Sequence, residues 1–166
     1  AQVAGHGHAH RSEEFRLHWR RRSDEIMVAW TRMYDWTPRA TQALREAGLR
    51  LGIVSTKYRS RIASTLERHG LTDRFDVIIG GEDVERHKPH PEGLHRAVVG
   101  LRVPVDQTLY VGDTVADAVA AREAGSPFVA VLSGMTRAEE FDPHPKVAVL
   151  PHVGGLPELL RATIAK

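Results

Sequence analysis

From Pro38 onward the chain alternates between two patterns, and that alternation constrains its fold more than any other feature. Short apolar runs rich in valine and isoleucine occur at Leu51–Val54, Phe75–Ile79, Leu109–Val111 and Phe128–Leu132, with a weaker one at Val147–Leu150. Runs this short suit strands buried on both faces. Between them the spacing predicts helices over Pro38–Ala47, Ser60–His69, Pro91–Val99 and Ala116–Ala124, and a closing helix over Pro157–Ala165. The first four are each followed by a glycine (Gly48, Gly70, Gly100, Gly125), where the chain can turn left-handed without a Cβ clash. Pro38 and Pro91 stand in first helical turns, where a missing N–H is no loss. Strand-helix alternation of this period means βαβ units with right-handed crossovers. The expected fold is α/β, a doubly wound parallel sheet.

Residues 1–37 read differently. From Ser12 to Tyr34 the apolar positions Phe15, Trp19, Ile26, Trp30 and Met33 recur at helical spacing, forming one face of a long amphipathic helix. The expected division is an appendage over 1–37 and a core over 38–166. Trp19, Trp30 and Trp36 read as core or cap-packing residues rather than stacking platforms, and the stripe Phe15-Trp19-Trp30, where exposed, is expected to seek a partner. Arg11, Arg16, Arg20, Arg21 and Arg22 make the helix locally basic, which fits a solvated face whose stems cover apolar neighbours. A net charge of only +2 and no aromatic or glycine interleaving argue against nucleic acid as a partner. His6, His8 and His10 alternate, so an extended segment could turn all three toward Zn²⁺; a terminal tail is the plainer expectation.

The longest apolar runs, such as Phe128–Leu132, fall far short of the about 20 residues that a membrane-spanning helix needs. No membrane partner is expected. The absence of cysteine rules out disulfides and fits a reducing compartment, so the expected location is cytoplasmic.

Chemistry-bearing residues gather where the predicted strands end. Leu51–Val54 runs into Ser55-Thr56-Lys57. Phe75–Ile79 runs into Gly80-Gly81 and on to Lys88-Pro89-His90-Pro91. Leu109–Val111 runs into Gly112-Asp113, with Asp117 beyond. In a doubly wound sheet these ends share one rim, where ligands bind. Each signal alone is weak: Gly-Asp is commonly a turn, and a Ser-Thr pair is commonly a helix cap. Together, a hydroxyl, backbone N–H groups and a lysine suit a phosphoryl group, and two carboxylates suit Mg²⁺. His87 and His90 flank Lys88 and read as exposed loop residues.

The ordered series Gly52-Ile53-Val54-Ser55-Thr56-Lys57, Gly80-Gly81-Glu82-Asp83-Val84 with Lys88-Pro89-His90-Pro91, and Tyr110-Val111-Gly112-Asp113 with Asp117 and Ala120–Gly125 resembles the haloacid dehalogenase superfamily. Within it the series is most similar to phosphoglycolate phosphatases and related pyrophosphatases, from about Tyr34 to the C-terminus. The resemblance implies that Ser55, with Thr56, holds phosphoryl oxygens and that Lys88 neutralises the nucleophile-phosphate cluster. It further implies that Asp113 binds Mg²⁺ directly, and Asp117 directly or through water. The implied partner is a small phosphorylated metabolite such as phosphoglycolate.

The family also opens with a strand ending in Asp-x-Asp-Gly-Thr, whose first aspartate is the nucleophile and whose second is the general acid-base. This chain has no such pattern: Asp24 lies in the basic helix, Asp35 precedes Trp36, and Asp73 and Asp76 lie either side of Phe75. The implied core lacks its first strand, leaving a gap between Leu51–Val54 and Leu109–Val111 with two unpaired edges. Without a nucleophile there is no aspartyl-phosphate route. The chain is expected to be a truncated phosphatase core, nearly inactive alone; the alternative is a non-catalytic pseudoenzyme that binds phosphate, Mg²⁺ or another protein. The open edges also predict a homodimer or swapped oligomer.

Overall fold

The computed structural model describes residues 6–164, apart from the side chains of 6–12, 20, 163 and 164. The chain divides into two units, Ala1–Arg32 and Met33–Lys166. The first unit holds one helix, α1 (His6–Trp30). Its backbone is helical from His6 rather than extended, and the side chains of His6, His8 and His10 lie outside the described residues. Its apolar stripe is exposed rather than core: Trp19 is 65% and Trp30 80% exposed, with Phe15 and Ile26 also exposed. The periodicity identified the face but not a covering for it. Phe15 and Trp19, one turn apart, stack on each other with ring centroids 6.5 Å apart.

The second unit carries the βα alternation: α2 (Trp36–Glu46), β1 (Gly52–Val54), α3 (Arg59–Arg68), β2 (Val77–Ile79), α4 (Glu92–Leu101), β3 (Tyr110–Gly112), α5 (Val115–Ala124), β4 (Phe128–Val131), β5 (Ala148–Leu150) and α6 (Leu156–Ile164). All pairings are parallel. They form two sheets, β1-β2 and β3-β4-β5. In the first, Gly52 pairs with Val77 and Val54 with Ile79. In the second, Tyr110 pairs with Phe128 and Val129 with Ala148. β1 and β3 do not pair, so the gap expected between them is present.

One hydrophobic core nonetheless serves both sheets. Leu94 of α4 and Ala118, Ala120 and Ala121 of α5 cluster with Phe128, Ala130 and Phe141, and both Val54 of β1 and Tyr110 of β3 pack against them. β4 is buried along its whole length, with Val129 fully enclosed. A smaller cluster of Ile62, Leu66 and Leu71 covers Ile53, Phe75 and Ile78.

Gly125 closes α5 with φ of 76°, as the sequence indicated, but Gly100 does not close α4. That helix continues to Leu101, and Arg102 takes the left-handed turn at φ 54°. Gly100 works instead by being small. A methyl group there would lie 2.6 Å from Val77 Cγ2, and one at Gly93, two turns earlier on the same face, 2.7 Å from Val54 Cγ1. The pair lets α4 lie close against β1 and β2.

Candidate functional site

Ser55, Lys88 and Asp113 each follow a strand, so the parallel sheets deliver them to one rim, as expected for open α/β folds. Ser55 leaves β1 with its amide donating to the Ile79 carbonyl at 2.9 Å, and its Oγ accepts from the Lys57 amide at 3.1 Å. The loop after β2 clasps this turn. Glu82 accepts from the Arg59 amide at 2.9 and 3.1 Å, and Asp83 pairs with the Arg59 guanidinium at 2.8 Å. A methyl group on Gly81 would lie 2.5 Å from the Thr56 carbonyl oxygen, so only glycine lets the two loops touch. Ser55, Thr56, His87 and Lys88 line one narrow cleft with Gly80 and Gly93. His87 is exposed; His90 is half-buried, its Nδ1 accepting from the Glu92 amide at 3.2 Å.

Lys88 turns from that cleft toward the second sheet. Its Nζ lies 2.6 Å from Asp117 Oδ1 and 3.4 Å from the Tyr110 hydroxyl, which itself donates to Asp117 Oδ1 at 3.0 Å. The other carboxylate oxygen of Asp117 accepts from Thr114, from the amide at 3.1 Å and from the hydroxyl at 2.6 Å. Thr114 is the N-cap of α5, its Oγ1 in turn accepting from the Asp117 amide at 3.2 Å. Asp117, 2% exposed, therefore has both oxygens occupied by protein donors.

The electrostatics follow from that arrangement. Burial, the largest influence, pushes the Asp117 carboxyl up, but the Lys88 charge and the hydrogen bonds from Lys88, Thr114 and Tyr110 outweigh it and hold the group below its ordinary value of 3.8. Burial, reinforced by the Asp117 charge, pushes the Tyr110 phenol well above its ordinary range. Tyr110 is a fixed neutral donor here.

Asp113 is the contrasting carboxylate. It is half-buried and forms no hydrogen bond or ion pair with a described residue. Gly134, beyond β4, backs it so closely that a methyl group there would lie 2.9 Å from Asp113 Cγ. Such a carboxylate, with both oxygens unspent, fits one protein ligand of Mg²⁺, which commonly keeps several waters and takes the rest of its shell from substrate phosphate. Among the described residues no three His, Cys, Asp or Glu side chains form a metal cage.

The sequence marked Ser55, Thr56, Lys88, Asp113 and Asp117 but missed Tyr110, Thr114 and Gly134. Thr114-x-x-Asp117 is a capping-box spacing at the start of a predicted helix, and that signal was available. Tyr110 was masked by its place in an apolar run, where a strand residue reads as core. Trp36 also departs from expectation, since it stacks between Tyr34 at 4.6 Å and His152 at 4.2 Å between ring centroids.

Comparison with known proteins agrees with the fold and the motifs. A phosphoglycolate phosphatase from Cereibacter sphaeroides is 32% identical over 161 residues, covering 97% of this chain and 71% of that protein. Pyrophosphatase PpaX from Bacillus mycoides is 36% identical over 123 residues, covering 72% of this chain. The chain spans little more than half, 55%, of the PpaX length. The crystal structure of a haloacid dehalogenase-like hydrolase from Bacteroides fragilis, described as putative, matches with a TM-score of 0.80 at 42% identity, covering 93% of this chain and 72% of that one. A family model for haloacid dehalogenase-like hydrolases matches residues 6–131, and this chain belongs to that family.

Proposed function

We propose that this chain forms the core of a Mg²⁺-dependent phosphatase acting on a small phosphate ester such as phosphoglycolate. The observation that carries this reading is the Lys88–Asp117 pair beside the Ser55 turn. Lys88 spends two N–H donors on Asp117 and Tyr110, leaving a third for a phosphoryl oxygen. The Ser55 hydroxyl and the backbone around Thr56 offer further donors on the same cleft. Asp113 is the residue to hold the metal, and Asp117 acts by fixing Lys88 rather than by coordinating. When bound, Mg²⁺ would supply charge stabilisation to the phosphoryl oxygens.

The sequence holds no Asp-x-Asp-Gly-Thr segment, so this chain by itself is proposed to bind phosphate and metal without turnover. The unpaired β1 and β3 edges favour that view of the site as one part of a larger one, and they also favour self-association, which sedimentation would show as a dimer. The alternative reading is a non-catalytic pseudoenzyme serving as a phosphate/Mg²⁺-binding or protein-interaction module, and an in-frame Asp-x-Asp-Gly-Thr upstream in the gene would exclude it.

Calorimetric titration with Mg²⁺ and a phosphate-mimicking metal fluoride tests the proposal. Binding that is lost in both Asp113→Ala and Lys88→Ala supports it. No binding by the wild-type chain, or binding indifferent to both substitutions, would overturn it.

A further inference from the structure

A second cavity lies away from this cleft and shares no lining residue with it. It is an open groove of about 710 Å³ between α2 and α6, within the size range of small-molecule sites. Its lining includes the small residues Ala40 and Ala43, and also Trp36 and His152, two members of a stack in which Trp36 lies between Tyr34 and His152. Gly154 makes the stack close. A methyl group there would lie 2.7 Å from His152 Nδ1 and 3.0 Å from Trp36 Cβ. The Gly154 amide also donates to His152 Nδ1 at 3.1 Å, which fixes the ring orientation.

Four charged side chains border the groove: Arg39 and Arg161, with Asp35 and Glu158. Arg39 and Arg161 form no ion pair or hydrogen bond with a described residue, although both acids line the same groove. Two uncommitted guanidinium groups suit a phosphate, which they grip through paired N–H bonds. The carboxylates suit hydroxyl or amino donors, and the His152 imidazole, which ends the Tyr34–Trp36–His152 stack, suits a flat ring. A bare anion would satisfy the arginines and be repelled by the acids. A nucleoside monophosphate carries phosphate, sugar hydroxyls and a planar base in one molecule.

We infer that the groove between α2 and α6 is a binding site for a nucleoside monophosphate, distinct from the Ser55–Lys88 cleft. The arginines hold its phosphate, and the base stacks on the His152 end of the Tyr34–Trp36–His152 stack.

The test is calorimetric titration of the full chain with adenosine monophosphate, with adenosine and inorganic phosphate as separate arms. Saturable binding at least about tenfold tighter than either fragment is expected, since each offers only some of the contacts. R39A/R161A should weaken it at least about tenfold. R39K/R161K, which keeps charge but loses the planar fork, should recover only part of that loss. Both arginines are exposed, so their variants should fold normally, as circular dichroism would verify. Prior addition of Mg²⁺ with a phosphate-mimicking metal fluoride, which would occupy the Ser55–Lys88 cleft, should leave the affinity unchanged. The inference is overturned by no saturable binding, by inorganic phosphate binding as tightly as the nucleotide, or by binding that ignores the arginine variants and is displaced by Mg²⁺ with metal fluoride. The last outcome would place the nucleotide in the phosphatase cleft and leave that proposal standing.

Discussion

The Lys88 ammonium lies 2.6 Å from Asp117 Oδ1, and this contact straps together two sheets that share no strand pairing. Lys88 follows β2 of the first sheet, and Asp117 sits in α5 beyond β3 of the second. Their side chains are 19% and 3% exposed, so the pair is largely withdrawn from water. Removing one partner leaves a buried charge uncompensated, which costs more than the pair itself contributes. Lys88→Ala is expected to destabilise the fold by about 3 kcal/mol. The double variant K88A/D117A should lose less than the sum of the singles, as coupled neighbours do. Urea unfolding of the four proteins closes the cycle, and strict additivity would mean the strap carries no coupling.

The pH dependence has a definite sign. The Asp117 carboxyl is held below its ordinary value of 3.8 in the folded protein, so its contribution is fully present above that value. It is lost as pH falls through the lowered folded value. Asp117 therefore stabilises the fold throughout the neutral range, and unfolding should be facilitated by acid only below about pH 4. Comparing wild-type and Asp117→Asn unfolding from pH 7 downward checks this. The gap between them should narrow on the acid side, and a gap that widens there would contradict the assignment.

The parts of this fold that were legible are those dictated locally. Valine and isoleucine runs located all five strands, because a buried parallel strand admits little else. The β1–β3 gap was legible from the motif order, since the segment that would fill it is not in the sequence. Gly100 misled because a glycine after an apolar helix looks like a stop signal, whereas its role against Val77 is a tertiary contact invisible in the local pattern. At the site, residue types were legible and their division of labour was not. Two aspartates on one turn look alike in sequence, yet Thr114 and Lys88 occupy one and leave the other uncommitted.

That division predicts unequal responses at two glycines. A methyl group at Gly112 would lie 2.6 Å from Asp117 Cγ, a side chain locked by four donors. Gly112→Ala should cost roughly 2 kcal/mol of stability, as overpacking of a rigid site does. At Gly134 the methyl would press on Asp113, whose oxygens no described residue holds. Gly134→Ala should leave the melting temperature nearly unchanged and weaken Mg²⁺-dependent binding of the phosphate mimic. Thermal melts and calorimetry on both variants separate the cases, and equal destabilisation would refute the distinction.

The close seat of α4 on the first sheet gives the last expectation. Alanine in a helix interior is ordinarily favoured over glycine by about 1 kcal/mol. At Gly100 the added methyl would meet Val77 Cγ2 at 2.6 Å, and Val77 is itself paired with Gly52 across the β1–β2 ladder. The branched side chain is stiff at χ1, so it cannot swing aside cheaply. The packing cost, roughly 1–3 kcal/mol, should exceed the propensity gain and make Gly100→Ala net destabilising. Val77→Ala removes the obstructing methyl groups, so adding it to Gly100→Ala should restore part of the lost stability although Val77→Ala alone destabilises. Denaturant melts of the two singles and the double measure that sign reversal. A stabilising Gly100→Ala would show that propensity outweighs the contact and that α4 has room to move off the sheet.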